Sequence, residues 1–306
     1  MELFIAVFTG TVIAATPLIF AALGELVVEK SGVLNLGIEG MMLFGAVFAF
    51  WAAVAGFPAP IAIVVGALAG AAASLLFGVL TLTFLTNQCA AGLALAIFGS
   101  GVSAFFGDRF GSVQIQALKP IDLPFVSDLP VVGSLLFQYD PLVYLALAAF
   151  VLITWFLYRT KGGLVLRTTG ESPENAHAIG YPVIRIRYLA VLFGGLMAGL
   201  GGAYLSLAYT PLWVEDMTAG KGWIALALVV FATWRPTRVL LGAWLFGGLT
   251  VMQLQAQAHG VRVPSELLSA LPYLATIAVL VVISQNRRLL LQHYPASLAR
   301  PFRPST

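Results

Sequence analysis

Apolar runs of about 18 to 25 residues recur along nearly the whole chain and are separated by polar stretches. At about 1.5 Å per residue, a helix of that length crosses a hydrocarbon layer of about 30 Å. The runs lack the alternation of polar and apolar residues that a membrane barrel requires, so each segment must satisfy its backbone internally. The pattern predicts an all-α polytopic bundle of about nine transmembrane helices, within a range of roughly eight to ten.

Two of the apolar windows differ from the others. The window 223–234 is short for a full crossing, and charged and glycine residues interrupt the chain just before residue 36. We therefore expect a broken or re-entrant segment at these places. The predicted spans are residues 3–23, 36–56, 60–82, 88–105, 141–157, 188–209, 223–234, 239–255 and 267–284.

Composition supports a membrane protein with one domain. The chain is 60% hydrophobic and only 9% charged, whereas a soluble domain is about a quarter charged. We expect residues 1–284 to form a single transmembrane domain and residues 285–306, which contain three prolines, to form a tail without a fold. Two patterns of small residues, Gly66-x-x-x-Gly70 and Gly195-x-x-x-Gly199, predict close helix packing.

The basic residues indicate how the chain is oriented. They concentrate in the stretch 158–187, before the span 239–255 and in the tail, and an alternation of nine spans places all three on one side. Positive loops stay in the cytoplasm, so we expect an inner-membrane protein with its N-terminus outside and its C-terminus inside. The stretch 106–140 is then an external loop, long enough for a docking or lid role. In this arrangement the excess basic residues, which give the net charge of +3, lie next to membrane lipid. The charge therefore does not indicate nucleic-acid binding.

Four polar residues are candidates for a solute path. The segment 25–40 places carboxylates, an amide and glycines between two apolar spans, which favours a broken backbone with free polar groups. We predict that Asn35, Glu39, Gln88 and Trp213 lie nearest to the path. Two of them have a second interpretation: Glu39 as a carboxylate at the N-terminus of its own helix, and Trp213, in the outside segment 211–223, as an interfacial anchor.

A short helix is predicted within the cytoplasmic stretch. Ser172 followed by Pro173 and Glu174 is a favourable helix start, and Gly180 followed by Pro182 ends the helix after about two turns. Such a short helix is costly to hold in place unless something packs on it. A cytoplasmic partner protein is one explanation, and a solvated connector is the other.

Three segments resemble a known family. They are EKSGVLNLGIEGMM at 29–42, TGESPENAHAIG at 169–180 and GWIALALVVFATWRP at 222–236. The chain is similar to the membrane permease subunit of bacterial ATP-binding-cassette (ABC) importers, in the family of ribose-type and branched-chain amino-acid permeases. The first segment most closely resembles the nucleoside-uptake branch.

The resemblance implies that the short helix is a coupling helix that docks on a cytoplasmic ABC ATPase. The chain has no G-x-x-x-x-G-K-[ST] phosphate loop, so we expect a non-catalytic subunit without a cofactor. A second permease, identical or homologous, and an external substrate-binding protein are the other implied partners. Nucleosides are the implied solutes, with sugars and purine-related bases as alternatives. The implied coupling residues are Gly170, Glu171, Glu174, Asn175, Ala176, Ala178 and Gly180.

Other membrane functions fit the residues less well. A secondary transporter needs ionisable residues deep in its spans, and apart from Glu39 the predicted span interiors have none. A secondary transporter or a channel is kept as the less favoured alternative. A membrane enzyme needs convergent catalytic or metal-binding groups, yet His177, His259 and His293 lie in different loops and Cys89 has no neighbouring partner in the sequence.

Overall fold

The computed structural model of the chain describes residues 2–121, 137–258, 270, 274–275, 277–278, 281 and 293–303. Ten α-helices are present in this part of the chain, which confirms the all-α prediction. Short π-helical turns extend α3 through Val79–Thr83 and α8 through Leu205–Tyr209, and the 3-10 turn Asp108–Phe110 follows α4. The helices are α1 (Glu2–Lys30), α2 (Ile38–Val54), α3 (Ala59–Gly78), α4 (Gln88–Gly107), α5 (Pro141–Arg159), α6 (Lys161–Glu171), α7 (Pro173–Ala178), α8 (Val183–Tyr204), α9 (Lys221–Phe231) and α10 (Pro236–Ala258).

Six of the described helices are long and apolar enough to cross a membrane, namely α1, α3, α4, α5, α8 and α10. Two further apolar helices are shorter: α2 has 17 residues and α9 has 11. Most of the predicted window 267–284, and all of residues 122–136 in the predicted external loop, lie outside the described residues. The described helices therefore establish a polytopic bundle, and the count of nine spans stays a prediction.

The first helix is longer than its apolar window. The predicted end at residue 23 is wrong, because α1 continues to Lys30 and carries Glu25 and Glu29 in its interior, both fully buried. The two carboxylates are four residues apart and so share one face of the helix. Each has a partner there: Glu25 accepts a hydrogen bond from the Asn35 N–H (3.1 Å), and Glu29 accepts one from the Trp234 indole.

This finding also corrects the expectation that the span interiors lack ionisable residues other than Glu39. Hydropathy assigned Glu25 and Glu29 to a connector because each carboxylate lowers the local average. The helix nevertheless continues through both residues, and each accepts a hydrogen bond from a residue outside the helix. The local sequence does not reveal these partners.

The core of the bundle is formed where α1, α2 and α3 pack on α8. The two predicted small-residue patterns face each other across the α3–α8 contact. A Cβ added at Gly70 would lie 2.6 Å from the Gly199 Cα, so these backbones touch directly. The prediction of close helix packing at these patterns is confirmed.

The chain between α1 and α2 is not helical. It turns at Gly32, which has a φ of +90°, and residues 33–35 have no regular structure. A Cβ at Gly40, in the first turn of α2, would lie 2.9 Å from the Ala96 Cα. Ala96 is the ninth residue of α4, roughly 12 Å along that helix. Thus α2 begins well inside the bundle.

The end of the bundle where α1 terminates is rich in basic side chains, among them Lys30, Arg187 and Arg235, and we call it the basic end. The expectation of a tail without a fold is wrong for residues 293–303, which pack against this end. The tail has no helix or strand in this part, and its order comes from tertiary hydrogen bonds and apolar contacts.

Candidate functional site

Two short helices meet at the side chain of Glu39. This residue lies in the first turn of α2 and is buried, with 8% of its surface exposed. Its Oε1 accepts hydrogen bonds from the Thr218 hydroxyl (2.6 Å) and the Gly220 N–H (2.9 Å), and its Oε2 accepts one from the Gly222 N–H (2.5 Å). These donors lie just before α9 and in its first turn, so the carboxylate satisfies the N-terminus of α9.

The sequence interpretation of Glu39 as a charge at the start of its own helix is therefore incomplete. It occupies the first turn of α2, yet every hydrogen bond found for its carboxylate goes to the segment that begins α9. This contact spans about 180 residues of sequence, and no local pattern could have revealed it.

A cavity of about 390 Å³ opens beside this contact. On its wall, the Ser100 hydroxyl donates a hydrogen bond to Asp216 Oδ1 (2.9 Å), and the Trp223 ring supplies an apolar surface. The volume is within the range of small-molecule sites, about 300 to 1,000 Å³. The lining residues are Glu39, Leu43, Ala96, Ile97, Ser100, Asp216, Ala219, Gly220 and Trp223.

The loop on one side of this cavity has an unusual backbone. Asp216, Ala219 and Gly220 have φ values of +50°, +47° and +78°. For a residue with a Cβ this conformation costs roughly 1–2 kcal/mol. The hydrogen bonds to Glu39 and Ser100 hold the loop in place, and such strained loops are typical of ligand sites.

The structure places the four predicted path residues in different surroundings. Glu39 lines the cavity. Asn35 is fully buried, and its Oδ1 accepts from the Gly37 N–H (3.0 Å), so it holds the broken segment between α1 and α2. Gln88 Oε1 accepts from the Leu34 N–H (2.8 Å), and the Trp213 indole donates to the Ser103 hydroxyl (3.4 Å), one turn beyond Ser100 on α4. The role of these residues in a solute path stays a prediction.

Ser100 and Asp216 were not among the predicted path residues. Asp216 belongs to the segment 211–223, whose mixture of acids, aromatics and glycines already indicated a solute entrance as an alternative to membrane anchoring. Ser100 had a weaker signal, a hydroxyl between two glycines in an otherwise apolar helix. Only the tertiary structure brings these two side chains together.

A second candidate site is the short helix α7 at the basic end. Its start and end agree with the sequence prediction: Ser172 Oγ accepts from the Asn175 N–H (3.4 Å), and Gly180 has a φ of +94°. Ile179, which the sequence analysis did not select, is 71% exposed just after the helix. Of the predicted coupling residues, those that face outward are Glu171, Glu174, Asn175, Ala178 and Gly180, and those that face inward are Gly170 and Ala176.

Long apolar helices, two short helices that begin inside the bundle, and a cavity with a few polar groups at their meeting point are typical of membrane transport proteins. The chain belongs to the family described as branched-chain amino acid transport system / permease component, which it matches over residues 7–280.

Individual relatives agree with this family. A putative glucose ABC transporter permease of Haloferax volcanii is 42% identical and covers 93% of this chain and 96% of its own. A nucleoside ABC transporter permease of Lactococcus lactis is 32% identical over 90% of this chain and 91% of its own. A guanosine ABC transporter permease of Bacillus subtilis is 31% identical over 89% of both chains. No solved structure matches the chain significantly.

The resemblance to ABC permeases that the sequence segments indicated is thus confirmed. The chain is a membrane permease of the ABC transporter class. Two of these relatives are named for nucleosides or guanosine and one for glucose.

Proposed function

We propose that this permease forms half of the translocation pore of an ATP-driven importer for small polar solutes, with nucleosides as the first candidates. The observation that carries the proposal is the cavity at Glu39, where two helix N-termini meet inside the bundle. Discontinuous helices of this kind form the solute sites of many transporters.

The cavity wall suits a nucleoside. Asp216 and Ser100 offer oxygen atoms that accept hydrogen bonds from the hydroxyl groups of a ribose. The Trp223 ring offers a flat apolar surface for a base. The names of the Lactococcus lactis and Bacillus subtilis relatives support the same class of solute.

A second permease subunit, identical or homologous, completes the pore in this proposal. The cavity is bounded on one side by α4, where Ile97 is 75% exposed and Phe98 is 51% exposed. On a membrane helix, exposed apolar side chains contact lipid or another protein, and their position beside an open cavity suits a second permease subunit.

The proposed complex takes its energy from a cytoplasmic ABC ATPase that docks on α7, so this subunit is itself non-catalytic. An external substrate-binding protein delivers the solute. The basic end is cytoplasmic, with the N-terminus outside and the C-terminus inside. The short helices α2 and α9, together with residues 267–284, bring the number of spans to nine.

Co-purification with solute uptake tests this function. The permease is expressed with its partners, and the complex is isolated in mild detergent and reconstituted with ATP for uptake of tritiated guanosine. We expect an ATPase to co-purify and uptake to require ATP. Asp216→Asn should reduce uptake. Glu215→Gln should leave uptake unchanged, because Glu215 is an exposed neighbour in the same loop that does not line the cavity. ATP-independent uptake, or a permease isolated without an ATPase, would contradict the proposal.

Glucose is a second candidate solute because the relative with 42% identity is named a putative glucose permease. Competition separates the two candidates in the same assay. Excess unlabelled guanosine that blocks guanosine uptake, with no effect of glucose, supports a nucleoside importer. Transport of labelled glucose without transport of guanosine supports the sugar importer.

A further inference from the structure

The C-terminal residues 293–303 cross the basic end and contact the ends of several helices. We call this segment the C-terminal clasp. The family match ends at residue 280, before this segment, and the proposed function assigns the segment no role. Its contacts form a continuous connection from α9 to α7.

The first part of the clasp binds the end of α9. The Tyr294 ring packs edge-on against the Trp234 indole at 5.2 Å, and the Arg235 guanidinium donates to His293 Nε2 (2.6 Å). Lys30, the last residue of α1, donates to the His293 carbonyl (2.8 Å). The clasp is thus fixed to the residues that directly follow α9.

The middle of the clasp is fixed by buried polar contacts. The Gly170 carbonyl, at the end of α6, accepts hydrogen bonds from both the N–H (2.9 Å) and the hydroxyl (2.6 Å) of Ser297. Arg187, which is 1% exposed, donates to the Ser297 hydroxyl, the Arg300 carbonyl and the Ser31 carbonyl, each at 3.1 Å. Buried charge-assisted hydrogen bonds of this type are strong, so this part of the clasp is held rigidly.

The last part of the clasp binds α7. Phe302 is 6% exposed and packs with Ala176 of α7 and Val183 of α8. Its ring also lies edge-on to the ring of His177, with centroids 5.7 Å apart. Because Ala176 faces inward while Glu174 and Asn175 face outward, Phe302 supports α7 from beneath its exposed surface.

These contacts connect the proposed docking surface to the cavity. The main helix neighbours of α7 are α6 and α8, and the clasp links α7 directly to the residues that follow α9, beside a longer route through α6 and α1. At the other end of α9, Gly220 and Gly222 bind Glu39 at the cavity wall. Because α9 is a single helix of 11 residues, a movement of α7 that shifts Trp234 also shifts the start of α9 at the cavity wall.

We propose that the C-terminal clasp transmits the movement of α7 to α9, with Ser297 and Phe302 as positioning residues for solute transport. This inference rests on the proposed docking of the ATPase on α7. If the clasp has this role, loosening it lowers solute uptake while ATP hydrolysis continues.

The test uses the reconstituted complex and measures tritiated guanosine uptake and ATP hydrolysis on the same samples, with labelled glucose as the solute if the complex transports glucose instead. For Phe302→Ala and Ser297→Ala we expect uptake to fall about tenfold, the size of a typical coupling effect, with ATP hydrolysis retained. Phe302→Tyr and Ser297→Thr, which keep the ring and the hydroxyl, should restore uptake. Arg303→Ala is the matched control, because this side chain is exposed in the same segment.

The outcomes separate the clasp from the proposed function. Retained ATP hydrolysis shows that the subunit has folded and docked. If Phe302→Ala does not fold, Phe302→Leu is the milder variant to use. Equal loss of uptake and hydrolysis would overturn transmission and make the clasp a part of the docking surface. Unchanged uptake in the clasp variants, alongside loss in Gly180→Val of the α7 region, would overturn the clasp alone. Unchanged uptake in all of them would overturn the proposed coupling as well.

Discussion

At the scale of single residues, Glu39 does more than a helix-start carboxylate normally does. A carboxylate at a helix N-terminus stabilises by about 0.3–1 kcal/mol at an exposed site. Glu39 is buried and accepts three hydrogen bonds from a separate segment. It therefore fixes the start of α9 against the start of α2.

We predict that Glu39→Gln destabilises the protein by about 1–3 kcal/mol and lowers solute uptake. A glutamine keeps one oxygen for Thr218 and Gly220, but its amide group then faces the Gly222 N–H, so two donors oppose each other. Thermal unfolding in detergent measures the effect. Glu215→Gln is the control, since it removes an exposed carboxylate from the same loop. Equal unfolding temperatures for the two variants would argue against this role of Glu39.

At the scale of elements, the bundle depends on backbones that approach closely. In lipid, helix association relies on packing and interhelical hydrogen bonds, so small residues at a contact contribute directly. Gly70 of α3 and Gly199 of α8 meet in this way, and a side chain at either position would separate the helices.

We predict that Gly70→Ala destabilises the bundle by about 1–3 kcal/mol through overpacking. The new Cβ would lie 2.6 Å from the Gly199 Cα, which a rigid helix cannot easily avoid. Gly101→Ala is the matched control, because its Cβ would meet no atom within 4 Å and alanine favours a helix. Thermal unfolding of both variants in detergent should show a loss for the first and no loss for the second.

The turn after α7 gives a second prediction at this scale. Gly180 has a φ of +94°, which side chains with a Cβ rarely adopt. We expect Gly180→Val to move Ile179 out of place and to reduce uptake strongly while the bundle still folds. Gly180→Asn should have a smaller effect, because asparagine tolerates positive φ best among residues with a side chain. Uptake and ATP hydrolysis measured together would reveal the gradation, and equal uptake in both variants would contradict it.

At the scale of the whole molecule, the distribution of charge predicts the orientation in the membrane. The basic end carries α7, the clasp and the ends of α1 and α9, while the opposite end carries the turn between α2 and α3. The proposed ATPase can dock on α7 only if the basic end faces the cytoplasm.

We predict that a membrane-impermeant maleimide labels the two ends differently in intact cells. With the native thiol removed by Cys89→Ser, Phe57→Cys at the opposite end should react, because Phe57 is 47% exposed. Arg303→Cys at the basic end should react only after the cells are lysed. Labelling of Arg303→Cys in intact cells would reverse the proposed orientation.

The sequence by itself determined the parts of this protein that depend on local chemistry. Apolar windows predicted most of the long helices, the glycine pairs predicted close helix packing at residues 66–70 and 195–199, and Ser172 and Gly180 predicted the bounds of α7. The three sequence segments also led to the correct family. Each of these signals lies within one helix or its caps, or in a short motif.

Only the tertiary structure decided what depends on contacts distant in sequence. Glu25 and Glu29 lie within a helix, where each accepts a hydrogen bond from a residue outside that helix, Asn35 or Trp234, and Glu39 binds a segment about 180 residues away. Residues 293–303 of the tail are ordered because Arg187 binds their backbone and Phe302 packs against an apolar site on α7. The physical reason is the same in each case: a buried polar group, or a segment without regular structure, is stable only with its partner, and the local sequence does not identify that partner.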